Sequence, residues 1–95
     1  MYARVTRFTV LPERLAELPL KMEEMRPRLK SLPGIVDAYV AWRADGEGVV
    51  VALYADKQAA DRVVSRIQAL WGALAGLVSG PPRTDAYENA EHLTG

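Results

Sequence analysis

The stretch Gly48-Val49-Val50-Val51-Ala52-Leu53-Tyr54-Ala55 constrains this chain most. Successive side chains of a β-strand point to opposite faces. Here Val49, Val51 and Leu53 share one face and Val50, Ala52 and Tyr54 the other, so both are apolar. A strand buried on both sides has this pattern. It follows a second apolar run, Leu32-Pro33-Gly34-Ile35-Val36-Asp37-Ala38-Tyr39-Val40-Ala41-Trp42-Arg43, across Ala44-Asp45-Gly46-Glu47. An Asp-Gly pair between apolar runs is a strong hairpin signal. One face of the resulting ribbon can pack on helices. The other needs a cover that a 95-residue chain does not obviously supply. Such a chain buries only about 60–65% of its unfolded surface. The mismatch predicts self-association.

The remaining chain supplies the helices and two more strands. Tyr2 to Val10 alternates β-branched and aromatic residues with Arg and Thr, placing Tyr2, Arg4, Thr6, Phe8 and Val10 on one face. Leu11-Pro12 ends this strand. Glu13 to Ser31 reads as a helix, with Leu15, Leu18, Met22, Met25, Leu29 and Leu32 as its apolar stripe. Pro19 and Pro27 interrupt it; an interior proline costs about 3 kcal/mol and frees the carbonyl four residues earlier. The continuous helix therefore starts near Pro19 or bends there, and Pro27 predicts a kink with the Glu23 carbonyl released. That kink either only bends the helix around its core or opens a pocket beneath it. Asp56 is the expected N-cap of a second helix running to about Val78, with Ala60, Val63, Val64, Ile67, Leu70, Trp71 and Leu74 on its stripe. Ser79-Gly80-Pro81-Pro82 stops it, and Arg83 to Ala90 is a weaker strand at a sheet or dimer edge.

The order β-α-β-β-α-β defines an α+β, ferredoxin-like arrangement. It predicts a four-stranded antiparallel sheet in the order 4-1-3-2 with both helices on one face. Two such sheets placed face to face would give a two-fold symmetric homodimer, a dimeric α+β barrel. Residues 1–90 form the single expected domain and 91–95 a flexible C-terminal tail.

Several function classes are disfavoured. Twelve Lys plus Arg balance twelve Asp plus Glu, interspersed, so no basic stripe exists for nucleic acid. There is no cysteine, hence no disulfide or thiolate site. The only histidine, His92, falls in the tail, where a solvated role is expected, and no cluster has metal-ligand spacing. No GxGxxG, P-loop or GxSxG string supports nucleotide or acyl-enzyme chemistry. The first residues carry no apolar signal-peptide core, and the longest apolar run, Ala69 to Val78, is too short to span a bilayer. The expectation is a cytoplasmic protein with no membrane or nucleic-acid partner.

Met1-Tyr2-Ala3-Arg4-Val5-Thr6, Leu32-Pro33-Gly34-Ile35-Val36 and the apolar Val49 to Tyr54 before Asp56 carry, with the element order, a resemblance. The chain resembles the antibiotic-biosynthesis-monooxygenase-like family of the dimeric α+β barrel superfamily, over nearly its whole length. The resemblance implies dimers with a pocket between sheet and helices. Some relatives oxidise polycyclic aromatic substrates with molecular oxygen and neither metal nor flavin; others degrade haem. The haem-degrading relatives resemble one another in an asparagine on strand one and a tryptophan and a histidine ligand on helix two. The strand-one position is Thr6 here and helix two has no histidine, so haem degradation is disfavoured. The aromatic-oxidising relatives use asparagine, tryptophan, tyrosine and arginine, to which only Trp71 and one tyrosine correspond.

The implied function is cofactor-independent oxidation of an aromatic or polyketide-type small molecule. The alternative is a non-catalytic dimeric binding or structural protein. No cofactor and no metal are expected. Thr6, Tyr39, Tyr54 and Trp71 are the candidate pocket residues. Each has a plainer role: Trp71 as core, the two tyrosines as packed rings whose hydroxyls reach water. Trp42 suits barrel or dimer packing. Arg7 would pair with an acid such as Asp37 or Glu88, or bind a carboxylate ligand. Met22 and Met25 would fill core gaps or line an adaptable pocket.

Overall fold

A computed structural model describes residues 1–95. The first strand, β1 (Tyr2–Thr9), is followed by a single bridge between Val10 and Val78. The expected helix from Glu13 is divided. Pro12–Glu17 forms a 3₁₀ turn, and the α-helix proper, α1, covers Leu18–Lys30. Pro19 explains the division. It stands in the first turn of α1, where a missing N–H costs nothing, and it cannot continue an α-helix from upstream. The helix runs on through Pro27.

Strand β2 (Ile35–Trp42) and strand β3 (Glu47–Tyr54) form the expected hairpin. Gly34, in the Leu-Pro-Gly turn ahead of β2, has a φ of 79°, and a Cβ there would lie 2.6 Å from the Ala59 Cβ. Only glycine lets this turn seat against the next helix. Asp56 caps that helix as expected: its Oδ1 accepts the Ala59 amide at 2.8 Å. The second helix is not continuous to Val78. It consists of α2 (Lys57–Arg62) and α3 (Val64–Ala73), broken at Val63. Val63 and Val64 are adjacent β-branched residues, which crowd a helix, and the break lets Val63 sink fully into the core. The last strand, β4, covers only Arg83–Tyr87, with every residue exposed, at a sheet edge.

The antiparallel order β2-β3-β1-β4 is the expected 4-1-3-2 read from the opposite edge. The register assigns the faces. Tyr2, Arg4, Thr6 and Phe8 of β1 lie opposite Tyr54, Ala52, Val50 and Gly48 of β3, all on the helix side. Ala3, Val5 and Arg7 lie opposite Leu53, Val51 and Val49 on the open side. In β2 a bulge between Ile35 and Asp37 shifts the pairing. Ile35, Ala38 and Val40 therefore face the helices, while Asp37, Tyr39 and Ala41 face away. Without the bulge, Tyr39 would share the core-facing side of Ile35.

The interior falls into three clusters. Tyr2, Leu32, Ala52, Tyr54, Ala59, Ala60 and Val63 form one. Met25, Leu70, Leu74 and Leu77 form a second between the helices. Phe8, Val10 and Leu18 form the third. A continuous core is the rule for a domain of this size. Here a cavity lined by members of all three clusters separates them.

Candidate functional site

The cavity between sheet and helices has a volume of about 790 Å³, and 20 of its 27 lining residues are hydrophobic. Ligand pockets typically measure roughly 300–1,000 Å³ and combine apolar walls with a few polar groups. The walls include Phe8, Leu18, Met22, Met25, Leu70 and Trp71. The exposed lining residues Arg26, Lys30, Val36 and Tyr39 mark its mouth between α1 and β2.

Three of the four residues singled out in the sequence meet here. Trp71, half-buried on α3, stands 5.5 Å centroid to centroid from Phe8 with the rings tilted at 56°. The pair makes a stiff aromatic wall. Thr6 is buried on the floor, its Oγ1 2.9 Å from the Thr84 Oγ1 of β4. Tyr54 is only 1% exposed, yet its hydroxyl has no partner within the protein. No buried polar side-chain atom is left unsatisfied, so this hydroxyl opens onto the cavity that Tyr54 lines. Burial raises the pKa of Tyr54 and the nearby positive charge of Arg4 opposes the rise. The hydroxyl is a neutral hydrogen-bond donor at pH 7.

Tyr39 takes a different place. It borders the mouth, but it is 63% exposed and the bulge turns its side chain to the open face. Its hydroxyl donates to Asp37 Oδ2 at 3.0 Å. That bond, the Ala38 amide at 2.9 Å on Oδ1 and the nearby His92 hold the Asp37 carboxyl below its ordinary range. His92 Nε2 lies 3.4 Å from Asp37 Oδ2, so the tail histidine meets this carboxylate rather than Glu88 or Glu91. Arg7 pairs with Asp85, at 2.9 Å, rather than with Asp37 or Glu88. It sits on the open face and is unavailable to a ligand in the cavity. Trp42 stands opposite Gly48 at the hairpin end, 38% exposed.

Arg4 is the residue that the sequence left unassigned. It shares the helix-facing side of β1 with Tyr2, Thr6 and Phe8, lines the cavity, and is half-buried. A lone charge on an otherwise core-facing stripe was its signal. No three His, Cys, Asp or Glu side chains converge to hold a metal ion, and no helix is long and apolar enough to cross a membrane.

The fold recurs among solved structures. SnoaB, a cofactor-independent oxygenase from Streptomyces nogalater, superposes with a TM-score of 0.75 at 21% identity, over 99% of this chain and 97% of its own. A Nitrosomonas europaea protein of unknown function, NE2512, gives a TM-score of 0.80 at 20% identity, over 99% and 95%. An antibiotic biosynthesis monooxygenase gives 0.77 at 12% identity, over 96% and 100%. The chain thus has the ferredoxin-like fold of the antibiotic-biosynthesis-monooxygenase-like proteins, as its sequence resemblance implied. No family model matches the chain, and no curated protein is similar to it.

Proposed function

We propose that this protein is a monooxygenase-like enzyme that oxidises an aromatic or polyketide-type small molecule with molecular oxygen and no cofactor. The observation that carries this reading is the 790 Å³ apolar cavity, into which the Tyr54 hydroxyl opens without a partner. A flat substrate fits beside the Trp71–Phe8 wall, between the helices and the sheet. Tyr54 then donates to an oxygen on its ring, which stabilises negative charge as it develops there. Thr6 and Thr84, bonded to one another, shape the floor beneath.

The cavity's only carboxylate, Asp37, already accepts from Tyr39 and the Ala38 amide. No free general base lines the cavity, so the substrate must give up its proton to solvent. Anthrones, naphthols and hydroquinones carry a proton of about tyrosine-like acidity whose loss leaves an electron-rich, oxygen-reactive anion. The protein's part is to hold such an anion in a dry site and orient it. The SnoaB likeness supports the reaction class.

We further infer a cytoplasmic homodimer in which the open sheet faces meet. The open side of β1 and β3 carries Val5, Val49, Val51 and Leu53, each half-buried, beside the buried Ala3, and His92 of the tail reaches the same face at Asp37 of β2.

The test is oxygen uptake by metal-stripped protein with those three substrate classes, alongside Trp71→Phe and Tyr54→Phe. Turnover that falls at least about tenfold in a folded Tyr54→Phe variant supports the reading, as expected when one oxyanion donor is lost. No uptake across the panel, with ligands still binding, leaves a binding protein and refutes the oxygenase.

A further inference from the structure

The cavity contains an unpaired cation. Arg4 is half-buried on its sheet wall, and no carboxylate lies within ion-pair distance of it. Of the other lining cations, Arg26 is bound to Glu23 at 3.1 Å, and Lys30 is exposed at the mouth without a partner. The one lining acid, Asp37, is engaged by Tyr39 and His92 on the far face. A half-buried guanidinium beside an apolar cavity gives up part of its hydration, and here no counter-ion replaces it. Nothing in the fold requires a charge there: Arg4 lies opposite Ala52 and Ala86 on the neighbouring strands.

We propose that the cavity selects an aromatic ligand carrying one carboxylate, which Arg4 anchors. This rests on the reading of the cavity as an aromatic-binding site. The planar fork of a guanidinium matches a carboxylate through two parallel hydrogen bonds. One negative charge balances the single half-buried cation on the sheet wall, whereas a doubly charged phosphate would leave an excess charge in an apolar site. Arg4 and Tyr54 are diagonal neighbours on adjacent strands, because Arg4 pairs with Ala52 and Tyr54 lies two residues further on the same side. Such positions are about 7–8 Å apart, within reach of long side chains. The carboxylate and the reacting oxygen of one bicyclic ligand can therefore occupy Arg4 and Tyr54 at once. Lys30 at the mouth adds attraction for an entering anion.

Calorimetric titration of the intact protein with 2-naphthoate, its neutral isostere 2-naphthamide, and 2-naphthyl phosphate tests this. The carboxylate is expected to bind at least about tenfold more tightly than the amide, the scale of a charge-assisted hydrogen bond. Arg4→Gln is expected to abolish that preference without weakening the amide, and Arg4→Lys to restore part of it. The comparison of the three ligands on the unaltered protein decides the matter even if a variant fails to fold. Equal affinity for carboxylate and amide overturns the inference and leaves the aromatic site standing. Tighter phosphate than carboxylate binding overturns the assignment of a single carboxylate. If none of the three binds, the aromatic-site reading falls and takes this inference with it.

Discussion

Replacing Gly48 with alanine probes how the aromatic wall of the cavity is held. Gly48 lies opposite Phe8 across the β1–β3 ladder. A Cβ there would overlap the Phe8 Cζ and come within 2.7 Å of Cε2 and 2.9 Å of Cε1. The ring is packed on every side but the cavity. It is 6% exposed, clusters with Val10 and Leu18, and stands 5.5 Å from Trp71, so it can yield only by moving into the cavity and disturbing that pair. Overpacking of this kind costs about 1–3 kcal/mol. The loss of unfolded-state freedom on replacing glycine offsets about 0.4–1 kcal/mol of that. A net loss near 1 kcal/mol lowers Tm by about 4–8 °C in a domain of this size. Thermal unfolding at fixed protein concentration measures it, and near-UV circular dichroism reports the displaced Phe8–Trp71 pair. Gly72→Ala is the internal control. It lies within α3, where a Cβ meets nothing within 4 Å, so the same substitution is expected to stabilise by up to about 1 kcal/mol. If both variants gain stability and the near-UV spectrum is unchanged, the ring is not pinned over Gly48.

Three further outcomes are expected. Val51→Lys, at the centre of the open face, is expected to convert a dimer to a monomer in light scattering while leaving the cavity's ligand affinity intact; a monomeric unaltered protein would refute the face-to-face assembly. Asp37 is held below its ordinary value of 3.8, first by the Tyr39 hydroxyl. Its contribution to stability is thus fully present above that value and fades as pH falls through the lower folded value. Tyr39→Phe is expected to move the Asp37 titration upward in NMR, and an unmoved titration would show that the bond does not form in solution. Asp56→Ala removes the cap on α2 and is expected to cost about 1 kcal/mol in urea unfolding, with no change in ligand affinity.

The order of the elements was legible because each depends on local chemistry. The Asp45-Gly46 turn, the two-sided apolar run of β3 and the Asp56 cap all recur where expected. What the sequence hid were the places where tertiary packing overrides a local period. Residues Asp56 to Val78 carry one helical stripe, yet the structure breaks the helix at Val63, whose side chain is buried in the first cluster. Pro19 announced a boundary but not that the preceding turn would tighten to 3₁₀.

The candidate site shows the same division at finer grain. Tyr54 and Thr6 could be placed because the unbroken ladder between β1 and β3 keeps a strict period of two, so their burial follows from that of their neighbours. Tyr39 could not, because a single extra residue at the bulge reverses every side chain after it, and no residue type announces the bulge. Arg4 shows how a site can be legible and still be passed over. Its place on the stripe of Tyr2, Thr6 and Phe8 is plain in the sequence, where a charge conflicts with the pattern around it. Conflicts of that kind concentrate where a protein gives up packing for function. The two faces of β3 complete the logic: Val50, Ala52 and Tyr54 border a cavity that the helices roof but do not fill, while Val49, Val51 and Leu53 lie half-buried on the side where the tail's His92 meets Asp37. An apolar strand of this kind is suited to hold a ligand on one side and to pack a second copy of itself on the other.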